Sequence, residues 1–318
     1  MALTIDPRPF VSVRHDQFEV EAKGLGAYLI DVSIPANLAR DSRLPVILVL
    51  DGNLIFDLVQ AIAHGRFTEA AGPLPPAIIV GVGYPAREGF STYYARRNFD
   101  FHGPWEMTDP LGLQLKGLFT SLRNAEGSSG HATEILAGGY SAFLSFLRDD
   151  LLPDLAAHYP IDLDGNHTLI GDSSGGHFAL RALFDPKSPF SKYIAISPSL
   201  GTAPGEIEAA EAAFAATHSD LEADVFVCAG SAEVDESVPI ALCRFGSAPI
   251  WAAEQFAIRN WPSARLTWEI MNNENHTSIA PRAIATGLRA VHNLRPGINN
   301  AQLAAATAAA QRSLLGIK

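Results

Sequence analysis

The sequence is poor in cysteine and lacks clustered metal-ligand motifs and long apolar runs. Only two of its 318 residues are cysteine, Cys228 and Cys243, too few for a disulfide framework or, by themselves, a zinc site. Cys228 lies in the apolar run DVFVCAG, the setting of a buried free thiol. There is no HExxH and no clustered His/Cys/Asp spacing, and His102 and His131 stand alone, so no metal and no other cofactor is expected. No run of about 18 apolar residues occurs. The N-terminus, MALTIDPRPF, has no basic segment followed by an apolar one. Neither a membrane span nor a signal peptide is expected, and a cytoplasmic location is the simplest inference. Positive charge is scarce as well: 23 Lys and Arg against 34 Asp and Glu leave a formal net charge of −11. That balance disfavours nucleic-acid and anionic-membrane partners and suits a small-molecule substrate.

What is present describes a packed α/β protein. Hydrophobic residues make up 47% and charged residues 18% of a chain long enough for one large domain. Residues 10–22 and 26–34 alternate as two strands around the turn Lys23-Gly24-Leu25-Gly26, an edge hairpin. Continuous apolar runs of strand length follow at 44–50, 77–82, 193–196 and 224–229, and Leu266, Trp268 and Ile270 alternate in a last strand. Unbroken runs of this kind fit strands covered on both faces of a parallel sheet. Helical spacing appears at 55–64, at 141–159 with a kink or break at Pro153, at 201–222, at 250–259 and at 284–291. The stretch from 86 to 139 loses all period and is rich in aromatics, including Phe90, Tyr93, Tyr94 and Trp105; it reads as an irregular, lid-like insertion over a site. The alanine-rich tail at 299–315 has a thin apolar face, suited to docking on the body or to self-association as a homo-oligomer.

The chemistry centres on HTLIGDSSGGHFALRALF, residues 167–184. An apolar strand stops at Gly171-Asp172-Ser173-Ser174-Gly175 and a helix begins at once. A serine on such a turn stands exposed at a strand's carboxyl end, and the amide of Ser174 at the helix start points where an oxyanion would form. GxSxG alone is weak; the strand and helix around it give it weight. GVGYPA (81–86) is a poorer signal, since Ala86 takes the third glycine position of a dinucleotide fingerprint and Pro85 interrupts the helix that should begin there.

A nucleophilic serine needs a base, a group to orient that base, and oxyanion donors. Of ten histidines, His276 follows the last strand in a polar loop from which it can reach Ser173. The acid should come from the loop after the preceding strand, where Glu233 fits and Asp235 and Glu236 compete. The loop after the third strand offers a second oxyanion donor, the amide of Asn53 beside Gly52. Asp149 and Asp150 are sequence neighbours on a helix and face apart, which leaves no support for a glycosidase pair.

The ordered series LVLDGN, AIIVGVGY, ARRNFDF, FLSFLRDDLLPDL, LIGDSSGGHFALRALF, ISPSL and ENHTS resembles the esterase family of α/β-hydrolases over roughly residues 10 to 293. That group includes enterobactin-type siderophore esterases, feruloyl esterases, S-formylglutathione hydrolases and mycolyltransferases. The resemblance implies an α/β-hydrolase fold with a central, mostly parallel sheet, a serine carboxylic-ester hydrolase, Ser173 as nucleophile, His276 as base and Glu233 as acid. It also sets Arg97 near the substrate pocket, with Trp105 a further candidate substrate-binding residue. DGN stands where S-formylglutathione hydrolases carry a glycine- and cysteine-containing oxyanion motif. Acyl transfer through the same residues and a non-catalytic binding protein on the same fold are the rival functions. For a hydrolase, activity should rise through about pH 6 to 7 as His276 loses its proton.

Overall fold

In the computed structural model, which describes residues 13–35, 38, 41–67, 74–126 and 134–292, the runs read as strands all join one sheet. Its strands are β1 (Val13–Ala22), β2 (Gly26–Pro35), β3 (Val46–Leu50), β4 (Ile78–Gly83), β5 (His167–Asp172), β6 (Phe190–Ile196), β7 (Asp224–Gly230) and β8 (Arg265–Met271). Their spatial order is β1-β2-β4-β3-β5-β6-β7-β8. The hairpin β1–β2 forms one edge, β2 pairs antiparallel with β4, and every further pairing is parallel. Every residue of β3, β4 and β7 is buried, which is why these strands read as unbroken apolar runs.

Successive side chains of a strand point to opposite faces, so each central strand feeds two cores. Leu48, Leu50, Leu169, Tyr193 and Val225 enter one; Ile47, Val49, Ile170, Ile194 and Phe226 enter the other. The second core is closed by α1 (Gly52–Phe67) and by a late helix, Ile279–Val291. The first is closed by helices of the intervening chain: α2 (Phe90–Phe101), α4 (Tyr140–Ser145), α5 (Leu152–His158), α6 (Ser174–Ala182), α7 (Glu206–Thr217) and α9 (Ser247–Arg259). Two more, α3 (Pro110–Ala125) and α8 (Val238–Cys243), pack on each other, and Ile279–Val291 is α10. No described helix is long and apolar enough to cross a membrane.

One expectation needs correction. The stretch 86–139 is not irregular: its described part is mostly α2 and α3. Asp109 caps α3 by accepting from the N–H groups of Leu111 and Gly112. Glu126, just beyond α3, accepts from the N–H of Phe90 (2.7 Å) and of Ser91 (3.1 Å) and so closes the start of α2. α2, FSTYYARRNFDF, is rich in aromatics that favour helices only weakly, and tertiary packing of Tyr93 and Phe101 holds it in place. Its neighbours are α3, α4 and α6, which sets the excursion beside the turn after β5. Of a kink or a break at Pro153 in segment 141–159, the structure shows a division, which falls just before the proline. A π-wound stretch, Phe146–Leu151, separates α4 from α5 and keeps Phe143, Phe146, Leu147 and Leu151 all buried. Pro153 falls in the first turn of α5, directly after the π-wound stretch. The helix α8 was not anticipated, and the tail at 299–315 lies outside the described residues.

Candidate active site

The parallel strands end on one side of the sheet, and the loops at their carboxyl ends supply Ser173, Glu233 and His276. Ser173 follows β5 directly with φ 61° and ψ −118°, a conformation strained for any residue but glycine. Its N–H is tied to the Ile196 carbonyl at 2.9 Å. Two glycines permit the turn: a Cβ on Gly171 would lie 2.0 Å from the Gly175 carbonyl oxygen, and one on Gly176 would lie 2.4 Å from the Ile196 oxygen. The second glycine of the GxSxG pattern is less constrained, since a Cβ on Gly175 would first meet Asp51 Oδ2 at 3.4 Å.

His276 arrives from the loop after β8 and Glu233 from the turn after β7. The imidazole Nε2 lies 3.1 Å from Ser173 Oγ, and Nδ1 lies 2.5 Å from Glu233 Oε1. A carboxylate can only accept, so Nδ1 carries the proton and donates it to Glu233; Nε2 is left to accept the Ser173 hydroxyl. The two loops are joined by the Ala232 N–H, which donates to the Glu274 carbonyl at 3.0 Å. Glu233 is 1% exposed, whereas Asp235 and Glu236 face solvent, so the geometry brings Glu233 rather than its two rivals to His276. Its other oxygen, Oε2, accepts from Ser197 Oγ at 2.8 Å and from the Gly230 N–H at 2.6 Å. Phe245 lies flat on the imidazole, with ring centroids 4.3 Å apart and planes at 13°. Burial pulls the imidazole down, but the Glu233 hydrogen bond and the charges of Asp172 and Glu233 outweigh it, and His276 titrates above its ordinary 6.5.

Asp172, next to the serine, is a carboxyl largely withdrawn from water among charged neighbours. Burial pushes its carboxyl up to about 6 against the opposing pull of His276 and Arg97, and its Oδ1 has no hydrogen-bond partner.

The candidate oxyanion donors, the amides of Asn53 and Ser174, belong to the first turns of α1 and α6, where backbone N–H groups lack helical partners. The Asn53 side chain is engaged elsewhere: its Oδ1 accepts from the Tyr84 N–H at 2.6 Å and its Nδ2 donates to the Tyr84 carbonyl at 2.8 Å. Arg97 reaches the site, yet its fork is spent on Asp51, with Nε–Oδ1 and Nη2–Oδ2 both at 2.7 Å, and Nη2 also approaches the Asp172 carbonyl at 3.3 Å. Tyr93 completes the arrangement by donating its hydroxyl to Asp51 at 3.1 Å. Trp105 lies farther off, in a small cluster with Ala95, Met107 and Phe119, and its indole N–H donates to Asp109 at 2.6 Å. Both candidate substrate-binding residues thus have internal partners.

Four groups around Ser173, His276 and Glu233 were not singled out from sequence: Asp51, Asp172, Ser197 and Phe245. Asp51 and Ser197 do share a signal, because each directly follows a buried parallel strand and carries a positive φ, 52° and 42°. Phe245 comes from the link between α8 and α9, far from any strand end, and nothing local marks it. Among the described residues no group of three His, Cys, Asp or Glu side chains is disposed to hold a metal ion.

Comparison with known proteins bears on this arrangement. Residues 130–280 match the family model described as "Putative esterase". Ferri-bacillibactin esterase BesA of Bacillus subtilis is 33% identical over 175 residues, which cover 54% of this chain and 54% of that protein. The siderophore triacetylfusarinine C esterase of Aspergillus fumigatus is 31% identical over 198 residues, covering 61% of this chain and 59% of the relative. The match therefore spans a little over half the length of these curated relatives. The crystal structure of BES protein from Bacillus cereus superimposes with a TM-score of 0.68 at 26% identity, covering 91% of this chain and 99% of that one.

Proposed function

We propose that this chain is a member of the esterase family of α/β-hydrolases and a serine hydrolase of small-molecule carboxylic esters acting through Ser173, His276 and Glu233. The observation that carries this reading is the directed hydrogen-bond chain from Ser173 Oγ through Nε2 and Nδ1 to Glu233. With Nδ1–H fixed on the carboxylate, Nε2 is free to take the serine proton as Oγ attacks the ester carbonyl. The imidazolium that results faces Glu233 directly, and the amides of Ser174 and Asn53 receive the charge developing on the carbonyl oxygen. His276 returns the proton to the departing alcohol, which leaves an acyl group on Ser173. A water molecule, deprotonated by the same imidazole, then releases the acid. Each step uses groups of this chain and needs no cofactor.

The named relatives are a ferri-bacillibactin esterase and a siderophore triacetylfusarinine C esterase, so siderophore esters are the first substrates to assay. Arg97 acts in this reading from behind the nucleophile, fixing Asp51 and the Asp172 carbonyl. The described residues are read as a single α/β-hydrolase domain with α2 and α3 beside the site.

The test is labelling with a fluorophosphonate, with the modified peptide located by mass spectrometry, in the parent protein and in His276→Ala. Labelling of Ser173 that falls by orders of magnitude without His276 is expected, because nucleophile and base act as a unit. Labelling elsewhere, or an undiminished rate in the variant, overturns the assignment.

A further inference from the structure

The turn that follows β6 lies between the nucleophile and the acid and touches both. Its first residue, Ser197, is fully buried, and its N–H donates to the Cys228 carbonyl of β7 at 2.8 Å. The Ile196 carbonyl before it accepts the N–H of Ser173, and the same oxygen forbids any side chain at Gly176, so the nucleophile helix rests on this turn. The Ser197 hydroxyl donates to Glu233 Oε2 at 2.8 Å, beside the Gly230 N–H on the same oxygen. The last residue of β6 and the first residue of the turn therefore set the positions of Ser173 and Glu233.

The backbone at Ser197 has φ 42°, a region that costs a non-glycine residue energy. Pro198 follows, and a residue before proline is pressed towards extended conformations, which adds to the strain. A glycine would relieve the φ, yet would lack the hydroxyl. The strain therefore has a counterpart only in what Oγ does, and its partner is the carboxylate that orients His276.

We infer that Ser197 is a positioning residue for catalysis, holding Glu233 so that its free oxygen lies in line with His276 Nδ1. Without this donor Oε2 keeps one anchor, the Gly230 N–H, and the carboxylate can rotate about it. The imidazole then loses its alignment in the step where it becomes charged, while substrate binding is untouched. The inference rests on the triad reading above.

The test compares Ser197→Ala and Ser197→Gly with the parent protein, using a short-chain p-nitrophenyl ester and fluorophosphonate labelling. Both variants should lose roughly ten- to hundredfold in kcat, the worth of one hydrogen bond to a charged group, with KM within about twofold. Labelling of Ser173 should slow by a similar factor. The Gly variant keeps the measurement meaningful if Ser197→Ala folds poorly, since glycine accepts this φ. A merely structural serine predicts the reverse: Ser197→Gly with the kcat of the parent, or a change in KM alone, would overturn the inference and leave the triad standing. A parent protein that is not labelled at Ser173 would overturn both.

Discussion

Replacing Glu233 by glutamine tests the site with almost no change in shape. Oε2 is held by two donors, Ser197 Oγ and the Gly230 N–H, so the glutamine must put its carbonyl oxygen there. Its NH2 group then falls opposite His276 Nδ1, where the carboxylate Oε1 stood 2.5 Å away. Two N–H groups cannot face each other, so the imidazole moves its proton to Nε2. That nitrogen now presents a proton to Ser173 Oγ and can no longer accept one. The same tautomer error in a Ser-His-Asp enzyme costs about 10⁴ in kcat, near 5.5 kcal/mol, and a loss of this order is expected here. The pH dependence should change with it. In the parent the raised imidazole puts the acid limb of kcat/KM above 6.5, and the Glu233 hydrogen bond is the largest upward contribution, so the limb of the variant moves to lower pH. Stability follows the same linkage. A folded-state pKa above the unfolded one gives stabilisation that is complete below 6.5 and is lost as pH rises through the folded value; the variant should lack this dependence. The measurements are kcat/KM for a p-nitrophenyl ester from about pH 5 to 9 and melting temperatures on either side of the limb. Activity within tenfold of the parent, or an unmoved acid limb, would refute the reasoning.

Two further outcomes follow from the turn and from the buried ion pair. Gly176→Ala should destabilise by about 3 kcal/mol or more or prevent folding, because its Cβ would lie 2.4 Å from the Ile196 oxygen, whereas Gly175→Ala should melt within a few degrees of the parent; equal melting temperatures would contradict the packing. Arg97→Ala leaves Asp51 buried without its cation and should cost about 3–5 kcal/mol in urea unfolding, with Arg97→Lys recovering only part because it cannot reproduce the fork; unchanged stability with a raised KM would instead make Arg97 a substrate contact.

By itself the sequence determined the elements whose signal is local. β3, β4 and β7 read as apolar runs because both their faces are covered, and the hairpin read as alternation around a turn because its outer strand keeps one face in solvent. Ser173 was legible because a strand, a turn needing small residues and a helix leave their marks within twenty residues. His276 and Glu233 could be placed only by their order after successive strands, and in that loop the order alone did not separate Glu233 from Asp235 and Glu236. Burial made the distinction: Glu233 turns inward onto three donors while its two rivals stay in solvent. The helix α2 went unseen because its aromatics favour helices only weakly and packing on α3, α4 and α6 with the Glu126 cap holds it, whereas α3 went unseen although its Leu, Gln, Lys and Arg residues favour a helix, interrupted by Gly112 and Gly117. Arg97 and Asp51, 46 positions apart, and Phe245 and His276, 31 apart, meet only once the sheet is built. Local pattern records what a residue prefers, whereas which distant groups must neutralise, stack on or anchor one another is decided by the packing that excludes water around them.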